Sequence, residues 1–433
     1  MPGGLIQLIA YGAEDVYLTG EPQVTYFKSV YRRYTPFAIE SIQQQISNRP
    51  NWGTEHEIVI EKVGDLVGRI WIEAQLPDIT FTPTDPVTEV EGWIQSVGHY
   101  LIDEMSISIG GQVLDRHYGQ WLEVWQELTL KGEKDRGYGN MIGKDLPNYS
   151  ITEPVIINNK CVDRRLKIPL QFWFCRNPGL ALPLIALQYH DISLKFKINT
   201  LEKLVFARNA TNYIVPNTTL TDILLPQLSV WVDYFLLDTT ERRKFAQNTH
   251  EYLIEQVQVP IRKEVLSGSD NQSLSLGEAF HPIKELVWLW QRTPPSVISP
   301  AKPVHIPPND WSLGAGDQLP LGNPQSDSPL DWVNIFFNKT SRFNKRDGEY
   351  FRLCQPYEYH TRIPDNYLYV YSFALKPEEH QPSGTANFSR LNDTDFNFAF
   401  RSGVTQSPQM WMFAVNYNIL RISSGMGGLA YSN

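Results

Sequence analysis

The sequence predicts an all-β protein of two strand-dense halves, and three observations carry that prediction. Thirty Pro and 28 Gly are spread through 433 residues, which favours many turns between short strands over long helices. Short segments alternate apolar and polar residues, with turn signals about every 8–12 residues, as in antiparallel β-sandwiches. The order of segments before Leu237 also starts again after His250, which suggests duplication. A chain of this length exceeds what one hydrophobic core usually supports. Its hydrophobic residues (42%) and aromatics (12%) are ample for folded cores and exclude wholesale disorder. A net charge of −9 argues against a general nucleic-acid binder, which would meet phosphates with a basic field.

Taken in order, residues 1–25 read as a separate N-terminal arm, in which Leu5, Ile6, Leu8 and Ile9 recur at near-helical spacing. These four are the candidate assembly residues. Residues 26–238 form the first expected domain. Phe37 to Ile46 alternates like a half-buried strand, and Glu57 to Glu61 and Leu66 to Leu76 follow with the same period. Met105 to Asp115 is a hairpin signal, because Gly110-Gly111 supplies the positive φ angles of a two-residue turn. Gln120 to Leu130 reads as a helix with Trp121, Val124, Trp125 and Leu128 on one face. Ile168 to Phe174, Ile192 to Ile198 and Leu228 to Leu237 complete the strands of this half.

Residues 239–250 are the expected linker, a short helix capped by Asp238 or Thr239. Residues 251–433 form the second domain. Tyr252 to Val259 echoes FAIESIQQQI, and RDGEYF (Arg346 to Phe351) echoes DRHYGQW (Asp115 to Trp121). Asn334 to Tyr350 reads as a second hairpin, with Tyr367 to Leu375 and Met410 to Ile422 as the last strands. Residues 131–165, 262–330 and 376–408 are polar and Pro/Gly-rich, so surface loops are expected there, with Trp311 and Trp332 pinning them down.

No catalytic, cofactor-binding or metal-ligating set stands out. The three cysteines, Cys161, Cys175 and Cys354, form no C-x-x-C pair and are expected as buried free thiols. There is no H-E-x-x-H, phosphate loop or nucleophile elbow. His190-Asp191 reads as a structural pair, Gly425 to Gly428 as a packing corner, and Glu378-Glu379 as solvated loop charge. The first residues lack the basic and apolar regions of a secretory signal, and no apolar run approaches the roughly 20 residues of a membrane span. Seven N-x-S/T sequons, at Asn148, Asn209, Asn217, Asn271, Asn338, Asn387 and Asn392, are candidate glycan acceptors only by a route outside secretion.

The eight-stranded jelly roll is the common sandwich with long loops. Composition does not separate it from an immunoglobulin-like sandwich, whereas a missing period of about 40 residues disfavours a propeller. Five stretches add to this. GGLIQLIAYGAEDVYLTGEP (Gly3 to Pro22) and NILRISSGMGGLAYSN (Asn418 to Asn433) resemble the termini of the major capsid proteins of nucleocytoplasmic large DNA viruses, the chlorella-virus and iridovirus type. Ile168 to Phe196, Leu237 to Gln258 and Tyr369 to Asp393 resemble the same family, so the likeness spans both halves.

The resemblance implies two tandem jelly rolls and a structural role in an icosahedral shell, as homotrimeric capsomers of pseudo-hexagonal outline. It implies neighbouring capsomers, minor capsid and penton proteins as partners, and an inner face near an internal viral membrane. It further implies outer loops meeting host surfaces, a virion location and assembly in host cytoplasm, with no cofactor and no direct nucleic-acid contact. The competing reading is a carbohydrate-binding or adhesion β-sandwich, which predicts a monomer with an exposed aromatic platform.

Overall fold

The structure, a computed structural model, describes residues 3–77, 79, 81, 90–144, 165–208, 214, 217–266, 271–292, 308, 310–311, 328–401 and 407–431. The chain divides into two compact units, Met1–Pro36 and Phe37–Asn433. The first holds two short helices, α1 (Gly3–Ile9) and α2 (Val16–Thr19). Asp15 accepts a hydrogen bond from the Gly12 amide at 2.8 Å, fixing the turn between them.

The second unit contains the same eight-stranded arrangement twice. In the first half the strands are β1 (Phe37–Gln44), β2 (Glu55–Val59), β3 (Leu66–Gln75), β4 (Ile102–Ile109), β5 (Gln112–Tyr118), β6 (Arg165–Pro169), β7 (Ile192–Ile198) and β8 (Gln227–Leu237). They pair antiparallel as two sheets, β1-β8-β3-β6 and β2-β7-β4-β5. In the second half β9 (His250–Glu264), β10 (Gln272–Ser275), β11 (Pro282–Gln291), β12 (Leu330–Phe337), β13, β14 (Leu368–Ser372), β15 (Thr394–Phe400) and β16 (Gln409–Ser423) follow. Here β13 is split into Thr340–Ser341 and Arg346–Asp347, both paired with β12. The sheets are β9-β16-β11-β14 and β10-β15-β12-β13, so strand n of the first half matches strand n+8 of the second. Each half is a jelly roll, as the sequence predicts.

Between strands lie helices α3 (Val97–Leu101), α4 (Gly119–Thr129), α5 (Gly132–Ile142) and α6 (Trp173–Arg176) in the first roll. The exposed α7 (Thr239–Gln247) joins the rolls, with Asp238 accepting from the Thr240 amide as its cap. Helical residues Tyr350–Cys354, wound as a π-turn, run into α8 (Gln355–Tyr359). The two helices α4 and 350–359 thus follow the fifth strand of each roll, which is the echo between DRHYGQW and RDGEYF. At the β4–β5 turn Gly110 and Gly111 have φ of +57° and +83°, as the hairpin signal requires.

Each roll has its own core. The first buries Val67, Ile70, Ile72, Ile107, Phe196 and Val232; the second buries Leu286, Trp288, Trp290, Phe396, Phe398 and Met412. Several expectations are corrected. The spans 262–330 and 376–408 are not simple loops, since β10, β11 and β15 lie within them and carry Trp288, Trp290, Phe396, Phe398 and Phe400 into the core. Trp332 is likewise a strand residue, with Lys345 3.6 Å from its ring centre. In 131–165, residues 132–142 form α5, and 145–164 lie outside the described residues. The strand expected over Ile168 to Phe174 stops at Pro169, after which Trp173 turns into α6. Finally, β1 is not half-buried: Phe37 to Ser41 are all exposed, and of this strand only Gln44 is buried, with Ile42 packed at the margin of the core.

Candidate assembly surfaces

The two rolls are joined by an apolar junction built on α4. Its spacing gives it two working faces. Leu122 enters the core of its own roll, while Trp121, Val124 and Leu128 seat against the outer face of the second roll's large sheet. That face consists of Val257 on β9, Val287 and Leu289 on β11, Leu368 and Val370 on β14, and Trp411, Phe413 and Val415 on β16. Strand side chains alternate, so these residues are the other half of the strands that fill the second core. Trp121 meets Phe413 with ring centres 5.3 Å apart, and Tyr118 meets Trp411 at 5.5 Å. Buried Trp311 joins the same cluster, its indole donating to the Pro308 carbonyl.

Polar contacts stitch the rim of the junction. Asp115 on β5 accepts from the Val257 amide at 3.0 Å, and Gln256 donates to the Leu114 carbonyl. His117 packs flat on Phe172 and pairs with Asp115 at 2.9 Å. Glu255 on β9 receives two cations, Lys284 from its own sheet at 2.8 Å and Arg176 from α6 at 3.0 Å. Burial alone would raise the Glu255 carboxyl, but Arg176 and Lys284 outweigh it and hold it below the usual range. Arg176 also lies 4.3 Å above the Trp125 ring.

A second cluster ties α4 and α5 to the segment after α8. Lys144 reaches Glu127 at 3.1 Å, Arg362 reaches Asp135 at 2.9 Å, and the Asp365 amide donates to Glu127 at 3.0 Å. His360 stands between Glu378 (3.1 Å) and Glu285 (3.3 Å). Burial would lower this imidazole, yet the two carboxylates prevail and raise it to about 9, so it is a buried imidazolium at neutral pH.

The C-terminal strand Met426–Leu429 docks on the first roll. The Tyr189 amide donates to the Gly425 carbonyl at 3.0 Å, and His190 Nδ1 lies 3.0 Å from the Gly427 carbonyl oxygen. A Cβ on Gly425 would stand 2.6 Å from the Tyr189 ring, and one on Gly427 would stand 2.9 Å from Leu187, so this is the packing corner expected from GMGG. His190 and Asp191 are partnered separately rather than with each other, since Asp191 pairs with Lys62 at 2.8 Å. Glu378 is likewise not mere solvated charge, whereas Glu379 pairs on the surface with Lys376.

Of the predicted site residues, Leu5, Ile6, Leu8 and Ile9 lie together on α1, and none is buried. Asn217, Asn271, Asn338, Asn387 and Asn392 are exposed; Asn148 and Asn209 lie outside the described residues. Cys175 is buried, which pushes its thiol up to about 12, while Cys354 is exposed, against expectation. Cys161 lies outside the described residues. The seat of α4 is hidden in the sequence because Leu286 to Trp290 (LVWLW) does not alternate; such an unbroken apolar run is the signal of a strand covered on both faces. Among the described residues no group of three His, Cys, Asp or Glu is arranged to hold a metal ion, and no helix is long and apolar enough to cross a membrane.

Comparison with known proteins gives a consistent result. Residues 25–238 match the family described as major capsid protein N-terminus, and 241–428 match that described as large eukaryotic DNA virus major capsid protein. The chain is 39% identical to the major capsid protein of Pyramimonas orientalis virus and 36% identical to that of Paramecium bursaria Chlorella virus 1, each over 100% of both chains. Among solved structures it is similar to the quasi-atomic model of the PBCV-1 virus capsid, with a TM-score of 0.76 and 33% identity over 94% of this chain and 100% of that one. The Faustovirus major capsid protein shares the fold with a TM-score of 0.69 at 12% identity, over 95% of this chain and 94% of that one.

Proposed function

The chain belongs to the major capsid proteins of large eukaryotic DNA viruses, and from that premise we propose how it builds its shell. It is a structural protein of the virion capsid, not an enzyme, and the alternative of a sugar-binding or adhesion sandwich finds no support among its relatives. The proposed building block is a homotrimer. The observation that carries it is the junction under α4, which packs two like sandwiches side by side in one compact unit. Three such chains present six sandwiches, which tile a facet with three-fold symmetry alone. Light scattering on the purified chain is expected to give about three times 49.8 kDa. A monomer at all concentrations would sink the trimer.

The finer partners follow as part of the same proposal. We divide the chain into an arm (1–25), a first roll (26–238), a linker (239–250) and a second roll (251–433). The arm faces the virion interior, because Leu5, Ile6, Leu8 and Ile9 form an apolar row with none of its members buried. There it meets minor capsid proteins above an internal membrane, while penton proteins and neighbouring capsomers flank the trimer and outer loops meet the host. Assembly takes place in host cytoplasm. The exposed sequon asparagines, such as Asn271 and Asn392, are the proposed glycan acceptors, and intact-mass measurement of virion protein tests them. Deleting residues 1–25 is expected to leave folded trimers that fail to close shells; loss of folding would make the arm part of the core.

A further inference from the structure

A cleft of about 610 Å³ opens where the two rolls meet, and none of the contacts described above fills it. We propose that it binds a small organic anion with a planar aromatic body.

The charges of the lining favour a negative ligand. On the second roll Glu255 and Glu378 face the cleft, but both are already matched: Glu255 by Arg176 and Lys284, Glu378 by His360. Burial lowers the His380 imidazole beside them, so it adds no fixed charge at neutral pH. On the first roll Arg69 of β3 and Lys134 of α5 line the same cleft. Both are exposed, and neither forms an ion pair among the described residues. Two cations are therefore left for a partner from outside the chain, and a carboxylate, sulfonate or phosphate group suits them.

The rest of the lining favours a flat ring behind that charge. Trp71, Trp125 and Tyr138 stand along the cleft on three separate elements, β3, α4 and α5. The Tyr138 hydroxyl is engaged with His99 at 3.0 Å, and Arg176 lies 4.3 Å over one face of the Trp125 ring. What these side chains offer a ligand is ring surface, which attracts another aromatic ring, stacked or edge-on, more than an alkyl chain. Trp173 on α6 adds one polar atom. It lines the cleft at 1% exposure, and its indole N–H has no hydrogen-bond partner among the described residues. A buried donor of this kind is costly unless met, and an oxygen on the ligand meets it. The cleft volume also falls within the range of small-molecule sites, about 300–1,000 Å³, whose walls are mostly apolar with a few placed polar groups.

Naphthalenesulfonate is the probe, titrated calorimetrically into the full-length chain in the oligomeric state in which it purifies. One molecule per chain is expected to bind. Inorganic sulfate lacks the ring, naphthol lacks the charge and decanesulfonate lacks the flat body, so each is expected to bind at least about tenfold more weakly. Arg69→Ser combined with Lys134→Ser changes only exposed side chains and is expected to weaken naphthalenesulfonate about tenfold, with naphthol binding and far-UV circular dichroism unchanged. Trp173→Phe keeps a ring and removes the N–H, and a loss of about threefold to tenfold is expected for the sulfonate. Should that buried variant fail to fold, the surface pair still decides. No binding of naphthalenesulfonate at low millimolar concentration overturns the site. Binding that survives the loss of both cations lies elsewhere on the chain and overturns it too, and tighter binding of decanesulfonate overturns the aromatic body.

Discussion

The large sheet of the first roll and that of the second occupy the same place in their sandwiches, yet their central strands are buried differently. β11 and β16 are covered on both faces over almost their whole length, whereas β3 and β8 alternate between buried and half-exposed residues. Edge strands show the same split. β9 buries Ile254, Glu255, Gln256 and Val257 against the first roll, while its counterpart β1 stays open from Phe37 to Ser41. The fold itself cannot cause this, since the strand order is identical. What differs is the neighbour. Where α4 lies on the sheet the outer face has become Val, Leu, Phe and Trp, as in a permanent interface; on the sheet that α4 does not cover, Trp and Pro alternate with charges.

A charge placed at matching faces breaks this comparison most sharply. Val287→Asp would bury a carboxylate in the apolar cluster between α4 and the second sheet, and should cost about 4–5 kcal/mol or prevent soluble expression. Ile39→Asp on the open face should change the unfolding free energy of the monomeric chain by no more than about 0.5 kcal/mol. Denaturant unfolding measures both; equal costs would mean that the open face is already packed.

The next effect in size concerns His360. Replacing it with Gln leaves Glu285 and Glu378 facing each other at the junction, a loss of about 3–5 kcal/mol for a broken buried pair. Its pH dependence has a definite sign. The imidazole is raised from 6.5 to about 9, so its contribution is complete below pH 6.5 and fades as pH rises through about 9. Glu255 and Glu378 are held below 4.5, so theirs is complete above that value and is lost as pH falls further. Melting temperature should therefore drop on both sides of a broad plateau, and His360→Gln should remove the alkaline limb and, by taking away the imidazolium that holds Glu378 low, soften the acid limb that Glu255 keeps. An unchanged limb would place the titrating group elsewhere.

The C-terminal corner should yield a smaller loss. Gly425 has a φ of +80°, and a methyl group there would strike Tyr189, so Gly425→Ala should cost about 1–3 kcal/mol. Thermal unfolding decides the matter, and a neutral result would mean that Met426–Leu429 does not hold the rolls together.

The same contrast governs what could be read from the sequence. Signals that depend on neighbours in the chain were legible: the Gly110-Gly111 turn, the Asp238 cap, the helix of Trp121 and Leu128, and the echo at the fifth strands. Signals that depend on partners far along the chain were not. Phe37 to Ile46 alternates, but alternation states only that two faces differ and not that either is covered. IKELVWLW and the phenylalanines of TDFNFAF were lost inside spans judged by their Pro and Gly content, although the strands are short interruptions of those spans. The charged junction was invisible, because Glu255, Lys284, Arg176 and His360 come from separate elements that only the tandem arrangement brings together.

The smallest expected effect lies in the linker. Asp238 caps α7 through one long hydrogen bond of 3.4 Å to the Thr240 amide, and no residue of α7 is buried. Asp65, by contrast, accepts from the Leu237 amide at 2.8 Å and pairs with Arg242 at 3.0 Å, so it fixes both the entry to α7 and its first turns to the first roll. With that second anchor in place, Asp238→Ala should cost about 0.5–1 kcal/mol, the low end for an N-cap. Unfolding curves of Asp238→Ala, Asp65→Ala and the double variant test the division of labour. If the cap alone costs more than about 2 kcal/mol, α7 is held by its own terminus. A double variant close to the sum of the singles would show that the two aspartates act independently, whereas a cost greater than that sum would show that each carries the load when the other is absent.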